Sequence, residues 1–147
     1  MPAAPSALKQ LLRVRQHRRD ACRLALVELE LRSGSLQSQL DAIEFERESE
    51  LTALRPLESR GMLDVAALLA RRQHLDLLSR ESDALKSNRQ ELTRQIADQT
   101  DRLLRCDREV QSLEKLLSTR TADAIAARRR WESRELDDVG RSAVGSR

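Results

Sequence analysis

The chain contains no tyrosine, and Phe45 and Trp131 are its only other aromatics. A compact domain of this length draws several aromatics into its core, because they bury the most area per residue. A broad globular core is therefore excluded and a thin, linear one expected. Glycine and proline are also scarce, at four and three residues. No apolar run approaches the roughly 20 residues of a membrane span. The opening Met1-Pro2-Ala3-Ala4-Pro5-Ser6 has neither the cationic start nor the apolar centre of a secretory signal, so a cytoplasmic location is expected. Catalytic chemistry has little to work with. His17 and His74 stand far apart in sequence, neither has a metal-ligand spacing, and no phosphate-binding glycine loop or nucleophile motif occurs. No enzymatic activity, cofactor, metal or small-molecule substrate is expected.

What the chain does have is charge and leucine. Charged residues make up 35% of it, above the roughly 25% of globular domains. Leucine, alanine, arginine and glutamate dominate, a mix that favours long helices with a narrow buried stripe. The apolar residues fall in seven-residue registers. Leu8, Cys22, Leu29, Leu36, Ile43 and Leu57 share one column, and Leu12, Leu26, Leu40 and Leu54 close a second. Paired columns with this period keep one seam of a helix facing a partner. After a short break a second seam begins, with Leu68, Leu75, Ile96, Leu103, Val110, Leu117, Ala124 and Trp131 in one column. Its companion holds Leu78, Leu85, Leu92, Cys106, Leu113 and Ala127. The nearest partner for each half is the other. The fold class expected is all-α, a long antiparallel two-helix coiled-coil hairpin with a C-terminal helical overhang.

Boundaries follow from the helix breakers. Pro2 and Pro5 keep residues 1–6 extended, and Ser6 caps a helix over residues 7–55. Gly34 lies inside it and costs about 1 kcal/mol relative to alanine, which a long coiled coil absorbs without breaking. Pro56 and Gly61 mark the turn, residues 56–63. Asp64 caps the second helix, over residues 64–139, and residues 140–147 form a disordered tail. Residues 7–139 form a single coiled-coil unit. Ser82, Arg89, Gln99 and Arg120 interrupt the second seam, so looser packing is expected near residues 82–89. With the turn centred near residue 59 or 60, Ala7 lies opposite about residue 112, His17 opposite about 102 and Cys22 opposite about 97. Cys106 is then too far from Cys22 for a disulfide, which needs Cα atoms within about 7 Å, and both cysteines pack reduced as small hydrophobes. Residues 113–139 are left without an intramolecular partner, and Leu113, Leu117, Ala124 and Trp131 present an apolar stripe there. Such a stripe marks a binding surface, either for another protein or for a second copy of the chain.

Charge is distributed unevenly around a net +3. Lys9, Arg13, Arg15, Arg18, Arg19 and Arg23 face the single acid Asp20, whereas Glu28, Glu30, Asp41, Glu44, Glu46, Glu48, Glu50 and Glu58 outnumber Arg32, Arg47 and Arg55. Arg128, Arg129 and Arg130 repeat the basic theme. Each charge by itself reads as part of a solvated face. Together they place positive potential toward the open end of the hairpin and favour an acidic partner. Nucleic acid is the rival partner. A basic leucine zipper needs a dense basic block continuous with an uninterrupted zipper. Here Arg15 and Arg19 occupy the seam columns, no asparagine accompanies them, and proline breaks the zipper. No nucleic-acid binding is expected.

The stretch Leu113-Glu114-Lys115-Leu116-Leu117, followed by Arg120, Arg128 to Arg130, Trp131 and Glu135-Leu136-Asp137-Asp138, resembles the closing segment of the FliJ family, coiled-coil proteins of the bacterial flagellar export apparatus. The opening Leu8-Lys9-Gln10-Leu11-Leu12-Arg13-Val14-Arg15 is similar to the family's first helix. The resemblance implies a hairpin like the central stalk of rotary ATPases. It implies binding to the hexameric export ATPase, to the export gate protein FlhA and to export chaperones, with only peripheral association with the membrane complex. The implied ATPase-binding residues are Arg13, Arg15, Arg18, Arg19, Leu113, Leu117, Arg120, Arg128 and Trp131. The implied gate-binding residues are Gln39, Ile43, Glu46, Glu50, Leu78 and Leu85, although the tyrosines frequent in the family there are absent. Injectisome stalk proteins of the YscO type share this architecture, and a homo-oligomeric structural coiled coil remains the alternative outside the family.

Overall fold

A computed structural model of the chain describes residues 3–59 and 64–145, and nearly all of them lie in two long helices. Helix α1 spans Ala3–Ser59 and helix α2 spans Val65–Gly145. The class is all-α, an antiparallel two-helix coiled-coil hairpin with a C-terminal helical overhang. Two compact units divide it: Arg23–Arg102, and Met1–Cys22 together with Leu103–Arg147.

Helix α1 is longer than the prolines suggest. It begins at Ala3, so Pro5 lies in the first turn. Backbone N–H groups there have no intrahelical acceptor, and the missing proline donor loses nothing. At the other end the helix continues through Pro56 to Ser59. Proline in a helix interior removes one backbone bond and crowds the preceding turn, at about 3 kcal/mol. The compensation lies on either side: Leu54 is buried and Leu57 half-buried, so ending the helix at Arg55 would unseat a seam residue. Gly34 is spanned without a break, as expected. Asp64 caps α2, its Oδ1 accepting from the Ala67 N–H at 3.4 Å while its carbonyl accepts the first helical bond from Leu68 at 3.0 Å. Helix α2 passes residue 139, where fraying was expected, and includes Gly140 and Gly145. The turn assigned to Gly61 and the last two residues of the expected tail lie outside the described residues.

In the unit Arg23–Arg102, Glu50 pairs with Arg71, Glu46 with His74 and Gln37 with Arg89. The α2 number rises as the α1 number falls, which is the antiparallel order. Among its described residues the buried apolar ones are Leu40, Leu54 and Leu78. Ser82, expected to loosen the seam, is instead buried to 1% exposure. Its hydroxyl finds no hydrogen-bond partner among the described residues. A serine is small enough to be covered in a column filled mainly by leucine, and its hydroxyl is covered with it.

In the unit Met1–Cys22 with Leu103–Arg147, Cys22 meets Cys106, Arg19 approaches Asp107 and Arg15 pairs with Glu109. This overturns the expected register, which set Cys22 opposite residue 97 and His17 opposite residue 102. Near the turn, Glu46–His74 and Glu50–Arg71 keep the expected register, so the departure belongs to the Cys22–Cys106 end. The overhang shortens accordingly. Leu113 and Leu117 are half-covered, and the uncovered part of α2 starts at residue 118.

Two substitutions check this packing. Gly34→Ala adds a Cβ that meets nothing within 4 Å, so a urea titration is expected to show a gain of about 1 kcal/mol. Ser82→Ala removes an unsatisfied buried hydroxyl and improves helix propensity, and a gain of about 1–2 kcal/mol is expected. A loss at either position would contradict the backbone described here.

Candidate functional site

The basic start of α1 and the C-terminal half of α2 belong to one compact unit. Its seam is unusual in carrying arginine where the heptad calls for an apolar residue. Arg15 and Arg19 occupy the two columns, and their side chains are only 32% and 21% exposed. Long arginine stems lie along apolar surface while the guanidinium reaches the rim. There the Arg15 Nη1 donates to Glu109 Oε2 at 3.0 Å, and the Arg19 Nε donates to Asp20 Oδ1 at 3.3 Å with Asp107 Oδ1 at 4.0 Å. Pairs this open to water contribute about 0.2–1 kcal/mol each. Both arginines are thus engaged within the hairpin. Arg13 and Arg18 are exposed and make no ion pair among the described residues.

Residues 118–145 of α2 are exposed on every side. They stay helical because their composition favours it. Ala122, Ala124, Ala126 and Ala127 are strong helix formers, and Arg128 pairs with Glu132 at 3.2 Å one turn on. Ile125, Trp131, Leu136, Val139 and Val144 are all at least 49% exposed. The stripe foreseen at Leu113, Leu117, Ala124 and Trp131 is therefore divided. Its first two members seat in the hairpin seam, and the last two lie on the open extension with Arg120 and Arg128.

Next to the arginine pairs, on the side away from the extension, sit the two thiols. Their sulfurs are 3.7 Å apart across the seam. Cys106 is buried and Cys22 half-buried. Burial pushes the Cys106 thiol above its ordinary pKa, the hydrogen bond with Cys22 adds to this, and Arg18 opposes it weakly.

The gate-binding set lies in the unit Arg23–Arg102. Gln39, Ile43 and Leu85 line one shallow, mainly apolar groove with Ala42, Glu81 and Ala84. Glu46 and Glu50 hold His74 and Arg71 at 3.1 and 3.2 Å. Leu78 is only 3% exposed. It packs in the seam beneath the groove.

A family model described as flagellar FliJ protein matches residues 5–147. The chain belongs to the FliJ family. No curated protein and no solved structure matches it. FliJ-family membership makes it a coiled-coil protein related to flagellar export. Among the described residues no helix is long and apolar enough to cross a membrane, and no group of three or more histidine, cysteine or acidic residues is placed to hold a metal ion.

Sequence reasoning passed over Asp107 and Glu109 in this FliJ-family chain. The signal was present, since arginines in seam columns require carboxylates flanking the opposite seam. That requirement alone does not fix the register, since Asp101, Asp107, Glu109 and Glu114 all lie on this stretch of α2. The thiol environment has a measurable consequence. A raised pKa lowers the thiolate fraction at any given pH, and the thiolate is the nucleophile. Iodoacetamide is expected to modify Cys22 before Cys106, with the Cys106 rate profile displaced to higher pH than that of an unfolded control. Equal rates at both positions would contradict the burial of Cys106.

Proposed function

We propose that this chain is a stalk of the flagellar export apparatus, seated through its α1 start and α2 extension in the hexameric export ATPase. It would link that ATPase to the export gate protein FlhA and to export chaperones, at the cytoplasmic face of the membrane complex. The observation that carries this reading is the extension over residues 118–145, which exposes Trp131 beside Arg128, Arg129 and Arg130. Family membership supports the flagellar setting over the injectisome one.

A stalk needs no catalytic group. It must present side chains that interact differently with the successive conformations of the ring around it, because only differential contact shifts a conformational equilibrium. Arginine suits this role, since its planar fork recognises carboxylates in a defined geometry. Arg13 and Arg18 are exposed cations of α1 that a partner can engage, together with Arg120, Arg129 and Arg130 on α2 and with Arg128, which also pairs with Glu132. Arg15 and Arg19 contribute indirectly, through the pairing that holds the unit. The shallow groove at Gln39, Ile43 and Leu85 is the part of the gate-binding set that a partner side chain can enter.

Mixing the purified chain with its cognate export ATPase is expected to raise the rate of ATP hydrolysis. Reversal of charge in Arg13→Glu with Arg18→Glu should weaken the apparent affinity roughly three- to tenfold, with the melting temperature unchanged. Trp131→Ala should weaken binding as well. Unchanged hydrolysis and no association with the ring would overturn the reading. A chain that sediments as a dimer through residues 118–145 would point instead to a homo-oligomeric coiled coil.

A further inference from the structure

We propose that Cys22 and Cys106 form a reversible dithiol–disulfide modification site that staples α1 to α2, with a hydroperoxide as oxidant. This goes beyond the stalk reading and does not depend on it. The chain has two cysteines. They stand 84 positions apart in sequence, on different helices, yet their sulfurs meet at 3.7 Å. Both occupy heptad columns filled elsewhere mainly by leucine. A small hydrophobe alone would serve packing as alanine or valine does; the paired sulfurs add an in-place reaction partner.

The environment assigns the two thiols different roles. Cys22 is half-buried and reachable from solvent, whereas Cys106 is 8% exposed. Arg18 of α1 is the cation that acts on Cys106, and Glu109 of α2 the anion. The Cys22 thiolate attacks one oxygen of the hydroperoxide, forming an S–O bond as the O–O bond breaks, and the other oxygen leaves as alkoxide or hydroxide. The Cys106 sulfur then attacks the Cys22 sulfenic acid. The S–S bond forms, the S–O bond breaks, and water departs with the Cys106 proton. Two electrons pass from the thiol pair to the peroxide. The sulfurs must close from 3.7 Å to about 2.05 Å, a movement of less than the length of one S–S bond. The buried second thiol protects the sulfenic acid from further oxidation by resolving it in place.

The test uses the full-length wild-type chain. The reduced protein is treated with hydrogen peroxide, quenched with iodoacetamide and measured by intact mass and peptide mapping. The expected product has lost two hydrogens, takes up no iodoacetamide, contains a Cys22–Cys106 linked peptide and runs as a monomer on a non-reducing gel. Dithiothreitol restores the thiols. Closing so long a loop raises the melting temperature by roughly 10 °C, a rise absent from Cys22→Ser and Cys106→Ser treated alike. In a glutathione redox titration the disulfide should form at least about tenfold more favourably in native buffer than in urea, since folding preorganises the pair. Intermolecular dimers, sulfinic acid without cross-linking, or equal titrations with and without urea would overturn the proposal.

Discussion

Each helix of this hairpin has one partner, so each can bury only one narrow face, and the other features of the structure follow from that constraint. Two heptad columns suffice to cover such a face, which is why leucine replaces the missing aromatics. Full burial is confined to a few positions, among them Leu40, Leu78 and Val110. A seam built only of leucines would also be degenerate, because sliding one helix by seven residues restores the same pattern. The polar interruptions remove that degeneracy. Arg15 finds Glu109, Arg19 finds Asp107, and Glu50 finds Arg71. Each pair is too exposed to contribute much stability by itself. Their value is discrimination, since a slipped register would leave half-covered charges unpaired or facing like charge.

The same one-sided logic creates the surface that a partner can use. Once α1 runs out, α2 has nothing to pack against, and its extension keeps helical form through alanine content and local charge pairing. An export-related coiled coil of the FliJ family has no need of a pocket. Recognition by such a protein is spread along helix faces, and its chemistry is that of arginine, carboxylate and isolated apolar side chains. Coupling to a conformationally cycling partner then rests on how these groups meet different surfaces in turn.

The thiol pair shows how a structural position acquires a second potential use. In a seam this thin a residue can be packed against its partner and still lie near solvent. Cys22 combines both conditions, and Cys106 satisfies the first. Burial that raises the Cys106 pKa makes the thiol slow to react with solvent reagents, but it leaves the neighbouring sulfur within contact distance.

Much of this was legible in the residues themselves. The heptad columns identified the helices, their pairing and the faces they bury, because a seven-residue period has few structural meanings. The Leu113 to Asp138 pattern led to the family, and the exposed Trp131 with its arginines was correctly placed on an unpartnered segment. What the sequence could not settle was the register, because identical columns fit one another at every seven-residue slip; the breakers around Pro56 also ended α1 too early. The burial of Leu54 and the partial burial of Leu57 carry that helix through the proline. Only the packed hairpin therefore decided that Cys22 meets Cys106, that Leu117 lies inside the seam, and that Ser82 is buried. Helix formation is set by local composition and periodicity, whereas the alignment of two helices is set by the few side chains that break the period.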